Sequence, residues 1–106
     1  MRPNLPVSEQ YRIAALEWVD LDHAARLLED TKSAVLSQKV ADLGDMPVSR
    51  AENIVKASKD WHDMVVAIVE ARTAANKKKI EVEFYRMRFS EWQSHEANER
   101  VERKLT

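Results

Sequence analysis

The segment from Ser58 to Leu105 contains neither glycine nor proline, and this constrains the fold more than any other feature of the sequence. An α-helix of that length would span roughly 70 Å. Ser58 is a good N-cap, and Asp60 lies in the first turn, where the helix dipole favours an acidic side chain. We therefore predict one long amphipathic helix over 58–105. Its apolar stripe comprises Trp61, Met64, Val65, Ile68, Ala71, Ala75, Val82, Phe89 and Trp92.

The first half of the chain predicts another long helix, over residues 8–43, with Ser8 as its N-cap. Aspartate competes for backbone groups inside a helix, so Asp20 and Asp22 leave open one helix or two nearly collinear ones. Residues 1–7, which include two prolines, are predicted to form an extended lead-in. The apolar positions of this helix are Ala14, Trp18, Leu21, Ala25, Leu28 and Val35, widened by Ala24, Leu27, Leu36, Val40 and Leu43.

The only glycine, Gly44, marks the end of the first helix, because a C-cap needs positive φ. Pro47 follows and cannot continue that helix. Ser49 and Glu52 match a capping box, which predicts a short helix over 50–56. Connections this short place two long helices side by side and antiparallel. The predicted fold is therefore a single all-α domain over 1–106, an antiparallel helical hairpin with a short connecting helix.

Composition narrows the classes of function. The formal net charge is −1, from 17 basic and 18 acidic residues, so the chain as a whole is not typical of a nucleic-acid binder. There is no cysteine, which fits the cytoplasm. The N-terminus does not resemble a signal peptide, and no apolar run is long enough to cross a membrane. We expect a cytoplasmic protein with no membrane partner.

A basic and aromatic stretch is the candidate nucleic-acid site. Single-stranded nucleic acid is bound by cations on its backbone and by aromatic rings under its bases. The alternative is that the aromatic residues are core and the basic ones a solvated face. The run Lys77-Lys78-Lys79 spans most of a helical turn, so one lysine must lie near the apolar stripe and mark a kink, a polar layer or a contact site. The candidate binding residues are Lys77, Lys78, Lys79, Arg86 and Arg88.

The sequence predicts neither a metal site nor catalysis. His95 shares a helix face with Glu91 and Glu99, but a zinc site needs a further fixed ligand. Asp20 and His23 have the spacing found in di-metal bundles, which require two such pairs. There is no glycine-rich phosphate loop, no cysteine nucleophile and no serine in an elbow motif. We expect a non-enzymatic protein without cofactor or small-molecule substrate.

A second apolar row lies beside the main stripe of both long helices. A two-helix hairpin covers one face only, and the short helix offers few apolar residues to cover more. A second row therefore favours a partner surface, most simply another copy of the chain, assembled as a helical bundle or coiled coil. The candidate oligomer interface comprises Ile13, Leu16, Ile80, Phe84, Met87 and Trp92.

Three segments resemble short helical proteins of tailed phages and prophages: KASKDW (56–61), EARTAAN (70–76) and YRMRFSEWQS (85–94). Such proteins are often encoded among recombination and replication genes. The resemblance implies a role in phage DNA metabolism inside a bacterial host, and it implies no catalytic residue.

We therefore expect an accessory protein of phage DNA recombination or replication that acts through an oligomer. Its partner would be another phage or host DNA-metabolism protein, or single-stranded DNA. Two alternatives remain open. One is a phage-encoded inhibitor of a host nuclease or defence complex, in which the acidic first helix mimics DNA phosphates. The other is a structural assembly protein.

Overall fold

The computed structural model describes residues 4–105, and every regular element in that range is an α-helix. Helix α1 covers Val7–Asp42, α2 covers Val48–Lys56 and α3 covers Lys59–Leu105. Two long helices with a short one between them confirm the predicted all-α class. Helix α1 runs without a break past the two aspartates at 20 and 22, and α3 is continuous over 47 residues.

Helix α1 begins one residue before its predicted cap. The Pro6 carbonyl accepts hydrogen bonds from the backbone N–H groups of Glu9 and Gln10, each at 3.0 Å. Ser8 therefore lies inside the first turn and is not the N-cap. The Gln10 side chain donates to the Leu5 carbonyl at 2.7 Å, which fixes the chain that enters the helix. Residues 1–3 of the predicted lead-in over 1–7 lie outside the described residues. Thr106, at the other end of the chain, also lies outside them.

Three helix caps were predicted in the turn between the long helices, and the structure confirms two of them. Gly44 has φ of +79°, as predicted for a helix C-cap. Ser58 is confirmed as the N-cap of α3, since its Oγ accepts from the Trp61 N–H at 3.2 Å. The capping box at Ser49 is wrong. Helix α2 begins at Val48 after Pro47, which holds the N-cap position with φ of −56°, and no side chain caps it.

The chain divides into two compact units. The first, which we call the turn unit, is Leu21–Ala75. Its buried side chains come from all three helices, and alanines at helix contacts let backbones approach closely. Leu27, predicted as part of the stripe, is instead 56% exposed. The buried residues are Ala25, Ala51, Val55, Trp61 and Ala75.

The second unit, which we call the end unit, is Met1–Asp20 with Asn76–Thr106. Here α1 and α3 run antiparallel, because Tyr11 contacts Phe89 while Glu17, further along α1, contacts Lys78, which is earlier in α3. Tyr85 is almost fully buried. None of the side chains at residues 91–105 is buried, so the C-terminal part of α3 is surrounded largely by solvent.

Candidate interaction surfaces

Lys78 forms a polar layer in the end unit. Its Nζ donates to Glu17 Oε2 at 2.8 Å, and it lies 2.8 Å from Glu81 Oε2. These two hydrogen bonds raise the pKa of Lys78 above its ordinary value. The positive charge of Lys78 is therefore stabilised by two carboxylates within the chain. For Lys78, these contacts favour the polar-layer interpretation of the lysine run.

The other four candidate cations lie on two different sides of α3. Lys77 and Lys79 are both exposed, but residues two apart on a helix point about 200° from each other. Arg88, eleven residues after Lys77, lies on the same side as that lysine, and its guanidinium lies 5.9 Å from the centre of the Phe84 ring. Arg86 lies on the side of Lys79. The five predicted residues therefore do not form one continuous basic face.

Three candidate interface residues form a single exposed row on α3. Ile80 is 67% exposed, Phe84 49% and Met87 60%. Their spacing of four and three residues puts them on one face of the helix. The opposite face, which holds Lys78 and Tyr85, contacts α1. We call the row of Ile80, Phe84 and Met87 the outer row of α3.

The remaining candidate interface residues lie elsewhere. Leu16 is exposed on the side of α1 that faces away from α3, so it does not join the outer row. Ile13 is half-buried and lines a polar cavity of about 210 Å³, together with Lys78. Trp92 stacks on Phe89, with ring centres 5.9 Å apart, and both line a second cavity of about 320 Å³ against residues 5–8.

Sequence reasoning missed the polar cluster of the turn unit. Arg72 donates two hydrogen bonds to the Glu29 carboxylate, at 2.9 and 2.7 Å, and one to Asp22 at 2.7 Å. These bonds raise the pKa of Arg72, and the Arg72 hydrogen bond lowers the pKa of Glu29. The sequence shows the charges, but the pairs join residues 43 and 50 positions apart, so they depend on the register of the helices.

No family model, curated protein or solved structure matches this chain. The arrangement of side chains is therefore the basis for inferring function. Among residues 4–105, no group of three His, Asp or Glu side chains is placed to hold a metal ion, and no helix is long and apolar enough to span a membrane. What the end unit offers a partner is an exposed apolar row with charged groups beside it.

Proposed function

We propose that this chain is a non-enzymatic accessory protein of phage DNA recombination or replication that self-associates and binds a partner protein. The outer row of α3 carries the proposal. Three large apolar side chains at helical spacing, each about half exposed or more, are what a helix offers to another protein surface. The phage setting rests on the resemblance of residues 56–61, 70–76 and 85–94 to short helical phage proteins.

DNA mimicry by the acidic first helix, the basis of the inhibitor alternative, has less support than the accessory role. A mimic needs carboxylates that are free to meet the basic surface of a nuclease. Here Glu9 pairs with Arg12, Glu17 with Lys78, and Glu29 with Arg72. Much of the negative charge of α1 is therefore matched within the chain, and we favour the accessory role over the inhibitor.

Self-association can be tested by light scattering coupled to size-exclusion chromatography over a range of protein concentrations. We expect the wild-type mass to exceed that of one chain and to rise with concentration, and the Phe84→Ser variant to shift towards the monomer. Leu16→Ser, on the outer side of α1, is the matched control. A wild-type protein that stays monomeric at the highest concentration would refute self-association.

A second candidate function is single-stranded DNA binding, and Phe84 is the observation that favours it. An exposed aromatic ring with Arg88 against it and Lys77 nearby can stack on a base and contact a phosphate. Fluorescence anisotropy with labelled single-stranded DNA at several salt concentrations tests this. The candidate requires binding that weakens steeply with salt and is lost in Lys77→Glu. Binding that Lys77→Glu leaves unchanged would exclude this face.

A further inference from the structure

The outer row of α3 is flanked by charges in an order that is complementary to itself. Lys77 lies seven residues before Phe84, and Glu91 lies seven residues after it. Both are exposed, and seven residues is almost two full turns, so both lie near the face of Phe84. Each is about 10 Å from Phe84 along the helix axis. A positive charge thus lies at one end of the row and a negative charge at the other.

The two edges of the row differ in character. Ile80 and Met87, four residues before and three residues after Phe84, lie on one edge. Glu81 and Arg88, three before and four after, lie on the other. One edge is apolar, and the other carries an acid and a base on opposite sides of Phe84. Arg88 is half-buried against the Phe84 ring, which holds its charge close to the row.

We infer that a second copy of this chain covers the outer row, with the two α3 helices antiparallel and a two-fold axis at Phe84. A two-fold interface joins a surface to itself, so each edge of the row meets the same edge of the partner, and each residue meets one that lies about as far from the axis in the opposite direction. Phe84 then packs against the partner's Phe84, and Lys77 meets the partner's Glu91, twice. Arg88 comes beside the partner's Glu81, and Met87 beside the partner's Ile80.

A parallel pairing of the same row is less favourable. Side by side in register, Lys77 would face Lys77 of the other copy, and Glu91 would face Glu91. Like charges at such short range oppose association, so the order of charges selects the antiparallel arrangement. This inference rests on the proposed self-association and adds which surface is used, in which direction and in which register.

The antiparallel pairing has a consequence for nucleic acid. It buries Phe84 and places Lys77 in an ion pair, so DNA and a second copy compete for the same side of α3. In the dimer, the exposed cations left among the candidates are Lys79 and Arg86, which lie on another side of the helix.

Single cysteines test the register, because the chain contains none of its own. A disulfide needs Cα atoms about 4.4–6.8 Å apart, so only residues that face each other are linked. Under mild oxidation, we expect covalent dimers only where the dimer brings two introduced cysteines face to face while Phe84 itself stays in place. Lys77→Cys mixed with Glu91→Cys should form heterodimers in excess of what either gives alone. Lys79→Cys is the matched control and should remain monomeric on a denaturing gel.

Exchanging the charges at positions 77 and 91 is a second test of the antiparallel pairing. Lys77→Glu and Glu91→Lys should each weaken dimerisation by roughly tenfold, since each replaces two attractive contacts with two repulsive ones. The double exchange should restore the wild-type constant. Neither site packs in the core, so the helical signal in circular dichroism should be unchanged in all three variants.

The outcomes separate the pairing from the proposed function. A chain that self-associates while Lys77→Cys and Glu91→Cys fail to cross-link with each other, or while the double exchange fails to restore affinity, would overturn the antiparallel pairing and leave self-association intact. A chain that is monomeric at every concentration would overturn both. Cross-linking of Lys77→Cys with Glu91→Cys together with charge rescue establishes the register.

Discussion

Replacing Lys78 should destabilise the fold and leave DNA binding unaffected, the reverse of what a nucleic-acid-contacting lysine would do. Its ammonium group lies 2.8 Å from a carboxylate oxygen on each of Glu17 and Glu81, and its side chain is 21% exposed. Lys78→Met keeps the unbranched stem and removes the charge. The two carboxylates then lose the lysine that both of them contact.

The size of the effect follows from exposure. The side chains of Glu17 and Glu81 are 41% and 43% exposed, so water screens both pairs. Each pair then contributes about 0.5–1 kcal/mol, as for partly exposed ion pairs. Lys78→Met should therefore lower the free energy of unfolding by about 1–2 kcal/mol. One kcal/mol corresponds to a fall in Tm of about 4–8 °C for a domain near this size.

Thermal unfolding by circular dichroism measures the loss, and a double-mutant cycle with Glu17→Gln isolates one pair. The coupling energy of that cycle should be about 0.5–1 kcal/mol. Lys77→Gln and Lys79→Gln are the controls, which should change stability by less than about 0.5 kcal/mol. A Lys78→Met protein with wild-type Tm and lost DNA binding would refute the polar-layer interpretation.

Three further predictions concern the fold. Gly44→Ala should lower the free energy of unfolding, measured by chemical denaturation, by about 1–2 kcal/mol. The whole loss comes from the positive φ, because an added Cβ meets no atom within 4 Å. A variant as stable as wild type would contradict this. Tyr85→Ala should cost about 3–5 kcal/mol because the ring is buried, with Tyr85→Phe as control; a loss below 1 kcal/mol would place the ring outside the core. The pKa of Glu29 lies below its ordinary value of 4.5 in the folded chain. This carboxylate therefore stabilises the fold above about pH 4.5 and loses that effect as pH falls through its lowered pKa. Acid titration of Arg72→Met should show a smaller loss of stability there than wild type, and an identical profile would argue against the pair.

The sequence predicted the local boundaries where one residue type has one structural role. Gly44 ends α1 because only glycine takes positive φ without cost, and Ser58 begins α3 because its hydroxyl can satisfy the first free N–H groups. The same reasoning failed at Ser49. Pro47 fixes the backbone before α2, and the helix begins at the next residue, Val48. Ser49 therefore lies within the first turn of α2 and cannot be its N-cap.

Pairing between helices was beyond prediction, because it depends on their register. Lys78 follows Ala75 by three residues and precedes Val82 by four, so its place in the seam could be read from spacing. Its partner Glu17 could not, since 61 residues separate them. Tyr85 has a detectable signal, as it lies three residues after Val82 and four before Phe89. The predicted apolar stripe nevertheless omits this residue, because the tyrosine hydroxyl is polar and does not mark a core position.

The most direct test of the central claim is fluorine NMR on protein labelled with fluorophenylalanine. The chain has two phenylalanines, so Phe84 reports on the outer row while Phe89, which packs against Tyr11, serves as internal reference. We expect the Phe84 signal to move with protein concentration and the Phe89 signal to move much less. The claim that a second copy of the chain covers the outer row would be contradicted if the Phe84 signal did not change with protein concentration. It would also be contradicted if that signal moved only when single-stranded DNA was added.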